Sequence, residues 1–356
     1  MLRRVFTLLC LSIFGYGNAQ DPSFSQLFNN RIVLNPAFAG LDPGLRLGFS
    51  HRNQWKAVAN RNFFTHAFAA DYQSCRFPNA GIGVSVMHDV EGDGRLTINS
   101  IGLLYSHKIL FARSSLSMAL QGDYYSGNVD WSKLLFSDQL DPVLGVVQAS
   151  SNLSANIENA QYYDFSSGLI FRQNWRLRSR EVYWHVGLAV HHLPFGFNNA
   201  FFGNSSLPTK VTLHGGWLVP IFKTGNRLNY HVLPFYRFTG QDFAAGKHRS
   251  LDMGALLVNR HISAGVMYQF NPLNVYLKNT DAVSFSFGYS SALAQTVSYR
   301  VTYSYDVNFK GVSNGTVGTH EINLLIQLKN LCRSSYSSIH KKDCFDYDKK
   351  GIESVF

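Results

Sequence analysis

The sequence predicts an all-β protein: a closed transmembrane β-barrel of the outer-membrane type, with about fourteen antiparallel strands. Three observations support this prediction. Apolar and polar side chains alternate in segment after segment, no run approaches the ~20 apolar residues of a membrane-spanning helix, and short and long connections alternate along the chain. We expect the barrel to occupy residues 45–328, after a short plug or cap segment (residues 20–44) and before a periplasmic tail (residues 329–356).

The chain begins with a predicted signal peptide, residues 1–19. Arg3 and Arg4 precede an apolar stretch that ends at Phe14, and Gly17-Asn18-Ala19 forms a small-x-small cleavage site. The apolar stretch is too short for a signal anchor across ~30 Å of hydrocarbon, so we expect cleavage near Ala19. An exported chain without helical spans is either a soluble periplasmic protein or a barrel. Its 28 phenylalanines and 18 tyrosines favour the barrel, because aromatic rings collect at membrane interfaces.

The segment after the leader does not alternate for long. Pro22, Pro36 and Gly40 interrupt it. It is therefore predicted to plug or cap one end of the barrel, and the alternative is an unstructured N-terminal arm.

Strands are predicted wherever the alternation persists. In residues 116–127, for example, Leu116 and Met118 share one face while Ser117 and Gln121 share the other. The same criterion predicts strands at residues 45–52, 63–72, 80–88, 97–108, 116–127, 165–174, 182–191, 210–221, 228–238, 251–259, 261–270 and 283–290.

The clearest alternation lies in the final hairpin, residues 297–328. Apolar side chains occupy every second position from Val297 to Val307, and again from Ile322 to Leu328 after a Gly/Asn loop. Such a hairpin has one apolar face suited to lipid and one polar face suited to water. Since each unpaired backbone group in hydrocarbon costs several kcal/mol, a sheet of these strands must close on itself.

The connections provide a test that does not depend on alternation. Long loops are predicted at residues 131–161, 193–209, 239–249, 271–281 and 308–318, the first with one helical turn. The links between them are brief. Tight periplasmic turns and long outer loops are typical of barrels, and a soluble sandwich or propeller would not need this rhythm.

The net charge and the cysteine content alone exclude few functional classes. The formal net charge is +10, or +8 after the two leader arginines are removed, and the charges are scattered along strands and turns. We interpret them as solvated turns, lumen residues and loops facing anionic lipid, not as a nucleic-acid surface. In an oxidising compartment Cys332 and Cys344 are able to close a small loop in the tail; two free thiols are the alternative.

No catalytic or metal-binding constellation is recognisable, and no cofactor is predicted. The adjacent His191 and His192 should point to opposite walls of a strand, a poor geometry for one ion. The acidic turn at residues 89–94 has Ser100 where a calcium loop needs its bidentate acid. Other histidines fall singly on predicted inward faces and are interpreted as polar lumen residues: His185, His214, His231 and His261.

Two motifs stand at the ends of the mature chain. The first contains Gln20-Asp21-Pro22, Phe24-Ser25-Gln26 and then Asn35, Pro36, Ala37, Phe38, Ala39 and Gly40; the second contains Tyr303, Tyr305 and Asp306, leading to Gly318, His320 and Glu321. Together with the weaker Tyr268-Gln269-Phe270-Asn271, they make the chain resemble the PorP/SprF family of type IX secretion system membrane proteins. The chain departs from the resemblance where its last strand ends in Leu328 instead of an aromatic residue and where it adds a basic, cysteine-containing tail.

The resemblance implies a non-enzymatic outer-membrane protein of the type IX secretion and gliding machinery that helps secrete or anchor a partner surface adhesin. The implied partners are outer-membrane lipid, type IX components and a secreted surface protein. The competing class is a FadL-like or porin-like transport barrel for a hydrophobic or small polar solute. Its path would be lined by inward polar residues, which a filled polar interior explains equally: Arg300, Asp306, Glu321 and Gln327. An outer-membrane hydrolase is a third class, for which the residues offer no site.

Overall fold

One closed antiparallel barrel of fourteen strands forms the structure. The computed structural model describes residues 22–54, 63–74, 77–92, 95–131, 134–141, 143–148, 159–177, 180–194, 207–224, 227–243, 246–273, 281–294, 296–309 and 318–328. The predicted signal peptide, Cys332, Cys344 and the tail lie outside these residues. No helix in the described ranges is long and apolar enough to cross a membrane.

The barrel strands follow one another around the wall in chain order. They are β1 Gly44–Gln54, β2 Phe63–Gln73, β3 Ala80–Glu91, β4 Leu96–Leu110, β5 Ser114–Asn128, β8 Asn159–Leu177, β9 Arg180–His191, β10 Lys210–Thr224, β11 Arg227–Phe243, β12 Gly246–Val258, β13 Ile262–Leu273, β14 Ala282–Ala294, β15 Val297–Asn308 and β16 Thr319–Leu328. The barrel closes where β1 pairs with β16, from Leu45 opposite Leu328 to Gln54 opposite Thr319.

Five short elements complete the fold in the described ranges. Helix α1 (Arg31–Leu34) and the 3-10 helix η1 (Pro36–Phe38) precede β1. The 3-10 helix η2 (Ser137–Gln139) and a small separate hairpin, β6 (Leu140–Asp141) with β7 (Gly145–Val146), lie between β5 and β8. The helical turn predicted in residues 131–161 is thus a 3-10 turn.

The two faces of the wall differ as the alternation predicts. On β15, Arg300, Thr302 and Asp306 are buried in the lumen, whereas Val301 and Tyr303 are exposed on the outside. On the neighbouring β16 the inward residues are again polar apart from Leu325, and the outward ones are apolar apart from His320. A polar lumen and an apolar outer wall are what a barrel in a bilayer requires.

The long loop predicted at residues 239–249 is wrong. Strand β11 continues to Phe243 and β12 begins at Gly246, with Gly240 opposite Arg249 and Gln241 opposite His248. A wall that extends beyond the lipid meets water on both faces, so its strands lose the apolar alternation on which the prediction depended.

The hydrophobic core lies inside the barrel, between the wall and the chain that precedes β1. One cluster packs Leu27 and Phe28 against Leu218 and Leu233 of the wall. A second packs Phe38 and its neighbours Ile32, Ala37, Ala39 and Leu41 against the wall residues Ala69, Leu104, Ala119 and Ile170. The segment predicted to plug or cap one end therefore lies inside the lumen and packs against the wall.

A charge placed on the outer wall tests the membrane-facing assignment. Leu103 lies in the middle of β4 and is 67% exposed on the outside. We expect Leu103→Arg to destabilise the barrel by about 2–4 kcal/mol, and Thr97→Arg, on the same face near the end of the strand, by about 0–1 kcal/mol. Denaturant unfolding from lipid vesicles measures both. Equal costs at the two positions would contradict a lipid-facing wall.

Candidate functional site

The candidate site is the barrel lumen and the segment within it. We call residues 22–43 the plug. The near end is the end of the barrel at which β1 begins, and the far end is the opposite end. The plug starts beside residues of the far half, such as Arg52, and reaches the near end at Asp42, two residues before β1. It thus crosses the lumen from far to near before the chain enters the wall.

At the far end the plug is held by a buried cluster of charged residues. The Ser25 backbone N–H donates to Glu321 Oε2 at 2.8 Å, and its hydroxyl donates to Asp306 Oδ2 at 2.6 Å. Arg52 Nη1 donates to Ser25 Oγ at 2.7 Å and lies 3.0 Å from Glu321 Oε2 and 3.1 Å from Asp306 Oδ2. Gln26 N–H also donates to Glu321, at 3.2 Å. Two acids from the last hairpin and one cation from the first strand therefore meet on one serine.

A second contact at the far end uses the ion pair between Arg237 and Asp252. Arg237 Nε lies 2.6 Å from Asp252 Oδ2. The same guanidinium donates to the Phe24 carbonyl and to Ser23 Oγ, both at 3.2 Å. The first residues of the plug are thus fixed to the β11–β12 wall as well.

At the near end another buried cluster joins the plug to the wall. Arg31 Nη1 lies 2.5 Å from Asp42 Oδ2, Arg31 Nη2 lies 3.6 Å from Asp71 Oδ2, and Arg46 and Arg172 approach Asp42 within 4.0 Å. Burial alone would raise the pKa of Asp42, but the guanidiniums of Arg31, Arg172 and Arg46 together hold it below its ordinary value. Burial would lower the pKa of Arg31, yet Asp42 and Asp71 raise it. Both plug groups therefore remain charged.

Between the two clusters, Asn35 anchors the plug to the wall. Its Oδ1 accepts from the Ala37 N–H at 2.9 Å, capping η1. Its Nδ2 lies 3.0 Å from His214 Nε2 and 3.2 Å from the carbonyl oxygens of Leu169 and Leu188, a facing pair on β8 and β9. The side chain is fully buried.

Glycines in the wall create the space for this anchor. A Cβ on Gly168 would lie 2.0 Å from Asn35 Oδ1, and one on Gly187 would lie 2.3 Å from His214 Nε2. Gly40 has φ +60°, a conformation that glycine adopts without strain, and its N–H donates to Asp71 Oδ2 at 3.0 Å. Plug and wall are therefore shaped for each other at the level of single atoms.

Part of the second sequence motif contacts the plug, which contains the first motif. The residues of the first motif, Asn35 to Gly40, form the buried middle of the plug. In the second motif, Asp306 and Glu321 point inward and hold Ser25. Its other side chains form an outward aromatic group, in which Tyr303 Oη lies 2.8 Å from His320 Nδ1 and the Tyr305 ring centroid lies 4.9 Å from that of the imidazole, at a tilt of 44°. Gly318 has φ +39° at the start of β16.

The structure corrects the prediction for His191 and His192. Both rings lie on the inner side, His191 beside Ser166 and His192 beside the Asp164 carboxylate at 2.9 Å. Strand β9 ends at His191, and His192 adopts φ +59°, so the strict alternation of a strand no longer applies.

Two further histidine predictions need correction. His185 and His214 do not lie singly, since their ring centroids are 5.6 Å apart and both contact Phe38. His261 is exposed in the turn between β12 and β13, so it is not a buried lumen residue; its Nδ1 lies 3.2 Å from the Ser290 carbonyl oxygen. His231 is buried on the inner face as predicted.

Three residues of the site were not predicted from the sequence: Arg31, Asp42 and Arg52. Charged residues within a largely apolar segment, and an arginine at an inward position of β1, were the signals that could have identified them. Within the described ranges, no group of three histidine, cysteine, aspartate or glutamate side chains is arranged to hold a metal ion. The arrangement binds a segment of its own chain by charge pairing and close packing.

Comparisons with known proteins place these features in context. Among solved structures, the chain is similar to a FadL homologue of Pseudomonas aeruginosa, with 12% identity over 86% of this chain and 95% of that chain and a TM-score of 0.46. It is also similar to the toluene transporter TbuX of Ralstonia pickettii, with 12% identity, 88% and 94% coverage and a TM-score of 0.45. No curated protein matches the chain. A family model described as type IX secretion system membrane protein PorP/SprF matches residues 16–326, nearly the whole chain.

Two arginine–aspartate pairs of equal length test the near cluster. Arg31–Asp42 and Arg249–Asp242 both measure 2.5 Å, but the aspartate side chain is 8% exposed in the first and 60% exposed in the second. We expect Asp42→Asn to cost about 3–5 kcal/mol, because it leaves buried guanidiniums uncompensated. Asp242→Asn should cost about 1 kcal/mol or less. Unfolding of both variants measures the difference, and similar costs would refute the role of the near cluster.

A single methyl group tests the fit of the plug. We expect Gly168→Ala to displace Asn35 and raise ion conductance in planar bilayers, because its Cβ would overlap Asn35 Oδ1. The control is Gly122→Ala on the neighbouring β5, where the nearest atom would be an ordinary 3.5 Å away. Unchanged conductance in a folded Gly168→Ala barrel would show that the plug does not depend on this contact.

Proposed function

Because the chain belongs to the PorP/SprF family of type IX secretion system membrane proteins, we propose that it helps secrete or anchor one partner surface protein, an adhesin, without enzymatic activity. In this proposal the barrel serves as a docking scaffold in the outer membrane. Its partners are components of the secretion system and the secreted adhesin.

The filled lumen is the observation that carries this proposal. Ser25, Arg31 and Asn35 bind the wall at three levels between the far and near ends, Arg31 through Asp71. Paired buried charges are difficult to separate, since removal of one partner leaves the other uncompensated in a dry interior. A lumen filled in this way suits a protein that presents surfaces better than one that conducts solutes.

An exposed apolar tip favours a contact role for the far end. In the β6–β7 hairpin, Val143 and Leu144 are 88% and 77% exposed. Apolar side chains concentrated on a protruding loop are typical of protein-interaction surfaces. We propose that this hairpin contacts the partner protein.

The proposed orientation puts the far end outside the cell. An even number of strands brings both ends of the barrel to one side, which in bacterial barrels is the periplasm. Residues 131–161, 193–209 and 308–318 then form the outer face, while residues 329–356 face the periplasm. Cysteines introduced into the loops should react with an impermeant label on intact cells. Labelling of the tail instead would reverse this orientation.

Transport of a hydrophobic or small polar solute is the competing function. It needs a path along the inward polar residues, but Asp306 and Glu321 are occupied by Ser25 and Arg52, and Arg300 Nε donates to Ser290 Oγ at 2.9 Å. A transport path would therefore require the plug to leave its contacts.

Affinity isolation from native membranes tests the scaffold function. We expect the wild-type protein to recover secretion components and a secreted surface protein, and Val143→Ser with Leu144→Ser to recover severalfold less of the surface protein. The control is Phe77→Ser, an apolar residue that is 61% exposed in the turn before β3 at the near end. Purified wild-type protein should give no steady conductance. Steady conductance or solute uptake, with no recovered partner, would favour the transport barrel.

A further inference from the structure

A cavity of about 280 Å³ lies in the far half of the lumen, beside the first residues of the plug. Its wall includes Gln54 at the end of β1, Asn308 at the end of β15 and Thr319 at the start of β16. Pro22 and Asn30 line it from the plug. This volume is close to the lower end of small-molecule pockets, which span roughly 300–1,000 Å³.

Several residues that line this cavity contain buried polar atoms without partners among the described residues. Asn30 is only 4% exposed, yet neither its Oδ1 nor its Nδ2 has a hydrogen-bond partner among the described residues. The same holds for Gln26 Nε2, Arg52 Nε and Asp306 Oδ1, whose residues also line the cavity. Buried carboxamides are nearly always hydrogen-bonded, so Asn30 indicates a ligand that supplies both a donor and an acceptor.

The arginines and carboxylates around the cavity are paired with one another, and Lys210 also lines it. Arg52 lies between Asp306 and Glu321, and Arg237 is paired with Asp252. A strongly charged ligand would have to separate these pairs. The cavity is therefore suited to a ligand that is polar but uncharged.

The chemistry of the lining favours a peptide over a sugar. Carboxamides recur around the cavity, and each offers the donor and acceptor that a peptide group requires: Gln26, Asn30, Gln54, Gln241, Gln269 and Asn308. Sugar sites usually present a flat aromatic face, but Phe24, the one phenyl ring among the described lining residues, is itself 6% exposed. The closed wall leaves no strand edge for a peptide to extend, so side chains must provide the recognition.

We propose that the far cavity binds an uncharged, extended peptide segment through its side-chain amides, with Asn30 as the central contact. This inference deepens the proposed function and rests on it, because the secreted partner would provide the segment. The peptide enters from the far end and lies against the plug without displacing it.

Calorimetric titration of the purified full chain in detergent tests this site. The probe is the capped peptide acetyl-Gly-Ser-Asn-Thr-Gly-amide. We expect Asn30→Leu to weaken its binding about tenfold, as loss of one to two hydrogen bonds implies. Asn99→Leu, on the outer wall, should bind like wild type. In thermal unfolding without peptide, Asn30→Leu should melt at or above the wild-type temperature, because it replaces unpaired polar atoms by an apolar group of similar shape.

Three results would overturn the proposal. The peptide class is wrong if maltohexaose binds and the capped peptide does not, and the site itself is refuted if neither binds. A melting temperature of Asn30→Leu as low as that of Asn35→Leu would make Asn30 a structural residue. Affinity isolation separates this inference from the function on which it rests: recovery of the partner without peptide binding removes only the cavity site, whereas failure to recover any partner removes the scaffold function.

Discussion

Charge neutrality inside a closed cylinder is the constraint on which this structure depends. The outer wall has to be apolar, so the polar residues of each strand point into the lumen, where the plug removes them from water. Buried charges without partners are costly, and plug and wall supply them together: Arg31 of the plug meets Asp71 of the wall, and Asp42 of the plug meets Arg46 and Arg172. At the far end Arg52 pairs with Asp306 and Glu321, and Ser25 adds hydrogen bonds to all three. The membrane therefore determines the chemistry of the lumen as well as that of the outer wall.

The same constraint explains why distant motifs belong to one site. Ser25 and Glu321 are 296 positions apart, yet the backbone of the first donates to the carboxylate of the second. Because β1 pairs with β16, the beginning and the end of the chain are neighbours in the wall. A segment that precedes β1 is then within reach of acids carried by the last hairpin. Asp306 and Glu321, which hold Ser25, both belong to the second sequence motif.

Alternation predicted the barrel because lipid and water impose a period of two on every strand between them. It failed where this contrast ends. Residues 239–243 and 246–249 pair as strands despite their polarity, and at the end of β9 His192 turns inward through a left-handed backbone. The path of the plug was not predictable from periodicity, since α1 and η1 are short and depend on contacts with the wall. The importance of Gly168 and Gly187 emerges only when Asn35 is placed against them.

The seam between β1 and β16 has a kinetic consequence. The side chains that hydrogen-bond to Ser25 lie on β1, β15 and β16. These contacts are therefore incomplete until the last hairpin has been synthesised, exported and paired with the first strand. Contacts of such sequence separation form late, because the loop-closure entropy of nearly the whole chain opposes them. Closure of the barrel and fixation of the plug are therefore one cooperative event. An assembly intermediate in which β1 and β16 are not yet paired would have both an open sheet edge and an unfixed plug.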